Sequence, residues 1–195
     1  ATLMWRGARR TLRRACVTSA IHVWPLARAW YRHKGLKLDG RPDELVWYFA
    51  FGANMHHSAF IERRRMRPVE SRAGRLSGYR LRFNLEGRPK GRAAPANISP
   101  DESAEVWGVL YCISRRDLVR LNASEGIPGP RYRPHELAMQ DANGKEIIAT
   151  AYIADGLPQD GKPSLRYLTL LREGARSHGL PEHWICFLDG VTPAE

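Results

Sequence analysis

Two stretches of this 195-residue chain carry residue types that could do chemistry together. The first is Tyr48-Phe49-Ala50-Phe51-Gly52-Ala53-Asn54-Met55, an apolar run that ends in a glycine-containing turn. A glycine at a strand exit lets the backbone turn sharply and lets a ligand approach the amides closely. Successive N–H groups at such an exit can cradle a carboxylate or an oxyanion. The second is Glu125, which falls just beyond the expected C-terminal end of a helix starting at Ser114. A carboxylate there meets the negative end of the helix dipole, and if partly desolvated it suits a general base better than a surface charge does. Each feature alone has a plainer reading. Most strand-Gly-x-Asn exits are only turns, and most loop glutamates are solvated.

Other chemistries find less support. The chain has neither a GxSxG nucleophile elbow nor a GxxxxGK[ST] phosphate loop. His56-His57 and the His178/His183 pair are the candidate metal clusters, but neither has carboxylates at ligand spacing, so no metal is expected.

The elements that must position these residues read as an α+β domain beginning at Leu45. Val46–Phe51 is a continuous apolar run of strand length, the mark of a buried strand, and His57–Arg65 fits a short helix. Tyr79–Phe83 alternates apolar with basic residues, as a strand with one wet face does. Gly87–Ala94 reads as a loop, and Ala104–Ile113 as a second buried strand. Ser114 caps a helix, with Asp117 placed as in a capping box; Leu118 and Leu121 face the core, and the helix ends near Asn122–Ser124. Glu125–Pro130 is a rigid turn region. Strands at about Tyr132–Gln140 and Glu146–Ala154 join through Asn143-Gly144, a strong hairpin signal. Pro163 and Ser164 open a helix with Leu165, Leu168, Leu171 and Ala175 on its apolar stripe; Gly179 ends it, and Glu182–Leu188 packs a last short segment.

Residues 1–44 have a different texture and form a basic N-terminal extension, leaving 45–195 as the domain. Most of the formal charge of +11 belongs to this tail. Residues 1–38 hold nine of the 31 Lys and Arg and no acid, so the remainder stands at 22 basic against 20 acidic residues. The nearly neutral body lacks an interleaved basic and aromatic face, which argues against a nucleic-acid partner. Pro25 breaks the extension as a long helix. Three readings of it stay open: an extension loose or packed on the body, a targeting leader, or a segment lying on an anionic membrane surface through Trp24, Leu26 and Trp30. Those tryptophans could serve a homodimer interface as readily. No run approaches the roughly 18 apolar residues of a membrane span. Cys16, Cys112 and Cys186 form no CxxC pair and no framework, which favours a reducing, cytoplasmic setting.

Taken in order, the motifs resemble the gamma-glutamylcyclotransferases, whose signature strand reads Y-F-A-Y-G-S-N followed by Leu or Met. The resemblance continues through Glu105-Val106-Trp107-Gly108-Val109 and Leu121-Asn122-Ala123-Ser124-Glu125-Gly126, where the family places its catalytic glutamate immediately before a glycine. It then covers Tyr132, Tyr152, Pro163-Ser164-Leu165-Arg166-Tyr167 and Ser177-His178-Gly179-Leu180-Pro181. It spans about Tyr48 to Leu188 and leaves the N-terminal extension without a counterpart. Phe51 and Ala53 depart from the family's tyrosine and serine, each losing a hydroxyl.

The resemblance implies a small mixed β-barrel or strongly curved sheet flanked by helices. It implies an enzyme that makes a gamma-glutamyl compound expel its amine by closing to 5-oxoproline, with no cofactor. Glu125 would be the general acid/base. Tyr48, Phe49, Ala50, Phe51, Gly52, Ala53 and Asn54 would bind the substrate, and Tyr167 would close the pocket. The sequence leaves open the leaving amine, and also a non-catalytic member of the same fold that binds a small ligand or partner.

Overall fold

The computed structural model describes residues 24–33, 38–87, 93–125 and 132–194. Cys16 and the Arg-rich start of the extension lie outside the described residues, as do most of the Gly87–Ala94 loop and all but the first residue of the Glu125–Pro130 turn.

Five strands close into one barrel. They are β1 (Leu45–Ala50), β2 (Glu70–Arg82), β3 (Asn97–Ser114), β4 (Arg133–Asp141) and β5 (Glu146–Ile153), ordered β1-β3-β2-β4-β5 around the wall. Neighbours run antiparallel except β1 and β5, whose parallel pairing at Trp47↔Ala149 and Tyr48↔Thr150 closes the barrel. A closed sheet leaves no free edge, so even the six-residue β1 is paired on both sides. The expected mixed barrel is the architecture found.

The strand expected at Tyr79–Phe83 is only the end of β2. The first half of β2, Glu-Ser-Arg-Ala-Gly-Arg, lacks apolar alternation and is made a strand by its pairing with β3 at Glu70↔Cys112 through Ser77↔Glu105. Likewise β3 starts seven residues before the expected Ala104, and the ladder shifts register between Ser77 and Tyr79. The Asn143-Gly144 hairpin forms as read, with Gly144 at φ 78°, a left-handed conformation that glycine adopts without a Cβ penalty.

Among the described residues, four α-helices surround the barrel: α1 (Trp24–His33), α2 (Arg115–Glu125), α3 (Leu165–Ser177) and α4 (Glu182–Gly190). Pro25 sits in the first turn of α1, where its missing N–H is tolerated. Ser114 Oγ accepts from Asp117 N–H at 3.1 Å and Ser164 Oγ from Tyr167 N–H at 3.2 Å, so both expected N-caps are made. Two expectations change. The helix from Ser114 runs to Glu125, so this residue belongs to its last turn rather than lying beyond it. Leu165 is exposed, because it starts α3 before the stripe of Leu168, Leu171 and Ala175 turns onto the core. No helix among the described residues is long and apolar enough to cross a membrane.

Phe49, Phe60, Leu110, Ile113, Leu121, Leu168, Leu171 and Leu188 are fully buried and tie barrel and helices into one core. Trp24 and Trp30, read from sequence as candidates for a membrane or dimer surface, are half-buried around Tyr31 and Val119, between α1 and α2. Gly174 lets α3 lie directly on the chain after β1, since a Cβ there would come within 2.8 Å of the Met55 backbone. That contact seats the turn that leaves β1.

Candidate active site

β1 ends at Ala50, and Ala53–Met55 forms a single 3₁₀ turn closed by Met55 N–H to Gly52 O (2.9 Å) and His56 N–H to Ala53 O (3.1 Å). The segment expected as an ordinary helix over His57–Arg65 is instead a wider π-helical stretch, Ser58–Arg63. Arg65 then adopts φ 55°, and Met66 N–H reaches back to Phe60 O at 3.2 Å. This tight exit leaves Arg63 and Arg65 exposed and turns Arg64 inward, to a half-buried position.

Arg64 is the residue that the sequence did not single out, and it organises the site. Its Nη2 lies 2.7 Å from Glu125 Oε1, with only 19% and 15% of the two side chains exposed. Its Nε donates to Asn54 Oδ1 at 2.8 Å, and its Nη1 donates to Ser124 Oγ. Asn54 Nδ2 in turn donates to Tyr48 Oη at 2.8 Å and sits 3.5 Å from Glu125 Oε1. One guanidinium thus clamps the end of α2 to the end of β1. A charge-assisted set of bonds of this kind is among the stronger polar contacts. Nothing in the run Arg63-Arg64-Arg65 marks the middle residue, since a basic triplet reads as a solvated face.

Glu125 and the strand-exit residues Tyr48, Phe51, Gly52, Ala53 and Asn54 line one cavity of about 440 Å³, within the range of small-ligand sites. Tyr167 lines it from α3, and Tyr132, Tyr152, Pro95 and Ala96 complete much of the wall. Phe49 and Ala50 do not line it. Phe49 is fully buried against Phe51 (ring centroids 6.2 Å apart), and Ala50 pairs with Val109 in the barrel wall. Their place in the motif reflects the strand rather than the cavity. Tyr152 and Arg166, quoted for the resemblance but not assigned to the site, also line it.

Gly52 is tied to Tyr167. A Cβ at position 52 would meet Tyr167 Oη at 2.8 Å. The same hydroxyl accepts from Ala96 N–H at 3.2 Å and from the Ala53 amide. Burial pushes the Tyr167 phenol above its usual range; it pushes Tyr48 and Tyr152 higher still, with the Glu125 charge adding to both. All three therefore stay neutral and keep their hydroxyl protons across the physiological range. Arg63 and Arg166 line the cavity mouth as exposed cations, and neither is paired among the described residues.

The histidines considered as metal ligands are dispersed. His56 is bonded to Ser58 and Glu173, His178 meets Tyr111 Oη at 3.0 Å, and His183 lies 3.2 Å from Glu105.

Comparison with known proteins agrees with this geometry. Residues 105–188 match the AIG2-like family model. The mouse gamma-glutamylcyclotransferase is 28% identical over 159 residues, covering 80% of this chain and 84% of that protein. The gamma-glutamyl cyclotransferase gliK of Claviceps purpurea is 32% identical over 137 residues, 65% of this chain and 61% of that one. A solved gamma-glutamyl cyclotransferase superposes with a TM-score of 0.69 at 25% identity, covering 78% of this chain and 90% of its own. The family model over residues 105–188, the curated relatives and the shared fold together support the AIG2-like, gamma-glutamylcyclotransferase family as the one this chain resembles.

Proposed function

We propose that this chain cyclises the gamma-glutamyl group of gamma-glutamyl amino acids or amines to 5-oxoproline, releasing the amine, with Glu125 as general acid/base. The observation that carries the reading is that the Glu125 carboxylate and the Gly52–Asn54 turn face one cavity across Asn54.

The reaction needs no outside nucleophile. The alpha-nitrogen attacks the gamma-carbonyl carbon, forming the ring C–N bond, and the original amide C–N bond breaks. Two protons move from the alpha-nitrogen to the departing nitrogen, and Glu125 carries them one at a time. An alpha-ammonium has an ordinary pKa of about 7.7–8.0, so at neutral pH a base must free the lone pair. General acid–base help of this kind is worth roughly 10²–10⁴-fold. The strand-exit amides and the neutral phenols around them offer donors for the developing oxyanion. The cavity walls favour the curled rotamer over the extended ones. Phe51 and Ala53 lack the hydroxyls common in the family, yet both line the cavity, so the backbone and Asn54 carry the binding on that side.

The test is 5-oxoproline release from a panel of gamma-glutamyl amino acids and amines by the wild-type chain and by Glu125→Gln. Turnover by the wild type with a loss of roughly 10²-fold or more in the variant is expected. A Glu125→Gln enzyme that turns over like the wild type removes the mechanism. A wild type that binds these compounds without turnover points to the ligand-binding alternative.

A further inference from the structure

The polar network behind the cavity does not stop at its wall. Tyr152, which lines the cavity and lies 5.6 Å from the Tyr48 ring, donates its hydroxyl to Asn122 Oδ1. Asn122 Nδ2 donates onward to Tyr31 Oη at 2.8 Å. Tyr31 belongs to α1, in the N-terminal segment that has no counterpart in the family motifs. The three side chains are nearly sealed from water, at 4% exposure for Tyr31, 7% for Asn122 and 5% for Tyr152.

Asn122 also precedes Glu125 by three residues on α2, so both sit in the helix's last turn on neighbouring positions. That turn is gripped from two sides, by Arg64 at Ser124 and Glu125 and by Tyr31 at Asn122.

We propose that Tyr31 is a positioning residue for the reaction: by holding the Asn122 carboxamide it fixes the Tyr152 hydroxyl at the cavity wall and the helix turn that carries Glu125. This inference rests on the function proposed above. A buried carboxamide bonded at both ends has one settled orientation. Without the phenol, its N–H is left unpaired in a dry place, and the amide relieves this by turning or by drawing the last turn of α2 out of line. The apolar contacts of Trp24, Trp30 and Val119 dock α1 whether position 31 holds tyrosine or phenylalanine. The hydroxyl is therefore spare for docking and specific to the relay.

The experiment compares the full chain with Tyr31→Phe, Tyr152→Phe and the double variant, measuring 5-oxoproline release from gamma-glutamyl-alanine together with Tm. Val119→Ala, which loosens the same helix without touching the hydroxyls, is the structural control. Tyr31→Phe is expected to lower kcat/KM by roughly 3–10-fold, mainly through kcat. Tyr152→Phe should lower it at least as far, and the double variant should be no worse than Tyr152→Phe alone. Val119→Ala should lower Tm with kcat/KM unchanged. Three results overturn the inference on its own: wild-type kinetics in Tyr31→Phe, losses that multiply independently in the double variant, or the same kinetic loss in Val119→Ala. No 5-oxoproline from the wild-type chain overturns it together with the functional reading.

Discussion

The strand exit, which brings Tyr48 and residues 51–54 to the cavity, and the last turn of α2, which brings Glu125 there, form two walls held in place by different forces. The strand exit is held mainly by packing. Phe49, Phe51 and Met55 are buried in the core, and α3 presses on the backbone through Gly174. The helix wall is held mainly by polar contacts to distant residues, Arg64 on one side and Tyr31 and Tyr152 on the other. Apolar burial is non-directional and tolerates modest changes of shape. A polar network tolerates little, because each orphaned partner carries a desolvation penalty. Glu125, the proposed general base, therefore sits on the wall that single polar changes disturb most.

The largest effect that would sharpen this contrast is on the packed side, where the strand exit meets α3. Gly52→Val places new atoms against Tyr167 Oη, so the strand exit and α3 must part, and kcat/KM should fall by roughly 10²-fold. Steady-state kinetics at unchanged fold, checked by circular dichroism, measures it; wild-type activity would break the packing account of this wall.

Arg64→Met should come next. It keeps the apolar stem and removes the guanidinium that joins Asn54, Ser124 and Glu125. Leaving one member of a mostly buried ion pair alone costs about 3 kcal/mol, so Tm should fall by roughly 5–10 °C and kcat by about tenfold. Thermal melts and kinetics together decide it. If only Tm moves, Arg64 braces the helix without orienting the base.

At the cavity mouth the effects are smaller. Replacing Arg63 and Arg166 with glutamine should raise KM a few-fold for a gamma-glutamyl amino acid and leave KM for its uncharged amide nearly unchanged, as expected for exposed charges. Equal changes for both substrates would mean that the guanidinium groups do not read the leaving group's carboxylate.

The mildest test is pH. Burial raises the Tyr31 phenol from 10.0 to about 12 and raises Tyr48 and Tyr152 as well. The stability these neutral phenols contribute is fully present below pH 10 and is lost as pH rises toward 12, because the unfolded chain ionises its tyrosines first. Melting temperature followed from pH 8 to pH 12 should therefore decline above pH 10. Tyr31→Phe should flatten part of that decline, whereas Phe49, on the packed wall, offers no titrating group.

Sequence alone determined the parts of this protein whose signals are local. The β1 run and its glycine exit, the Ser114 and Ser164 caps, the Asn143-Gly144 hairpin and the stripe of α3 each depend on residues a few positions apart. Periodicity and cap chemistry report such features directly. Glu125 was legible because it closes a motif, although its place inside α2 was not, since helix ends depend on what the last turn meets. The tertiary structure decided the rest. The first half of β2 is a strand because β3 pairs with it, not because of its own pattern. Phe49 and Ala50 leave the cavity because the barrel wall takes them. Arg64 and Tyr31 become site residues through bonds to Glu125 and Asn122, 61 and 91 positions further along the chain. Hydrogen bonds act over about 3 Å, and only the closed barrel with its docked helices brings such distant groups that close.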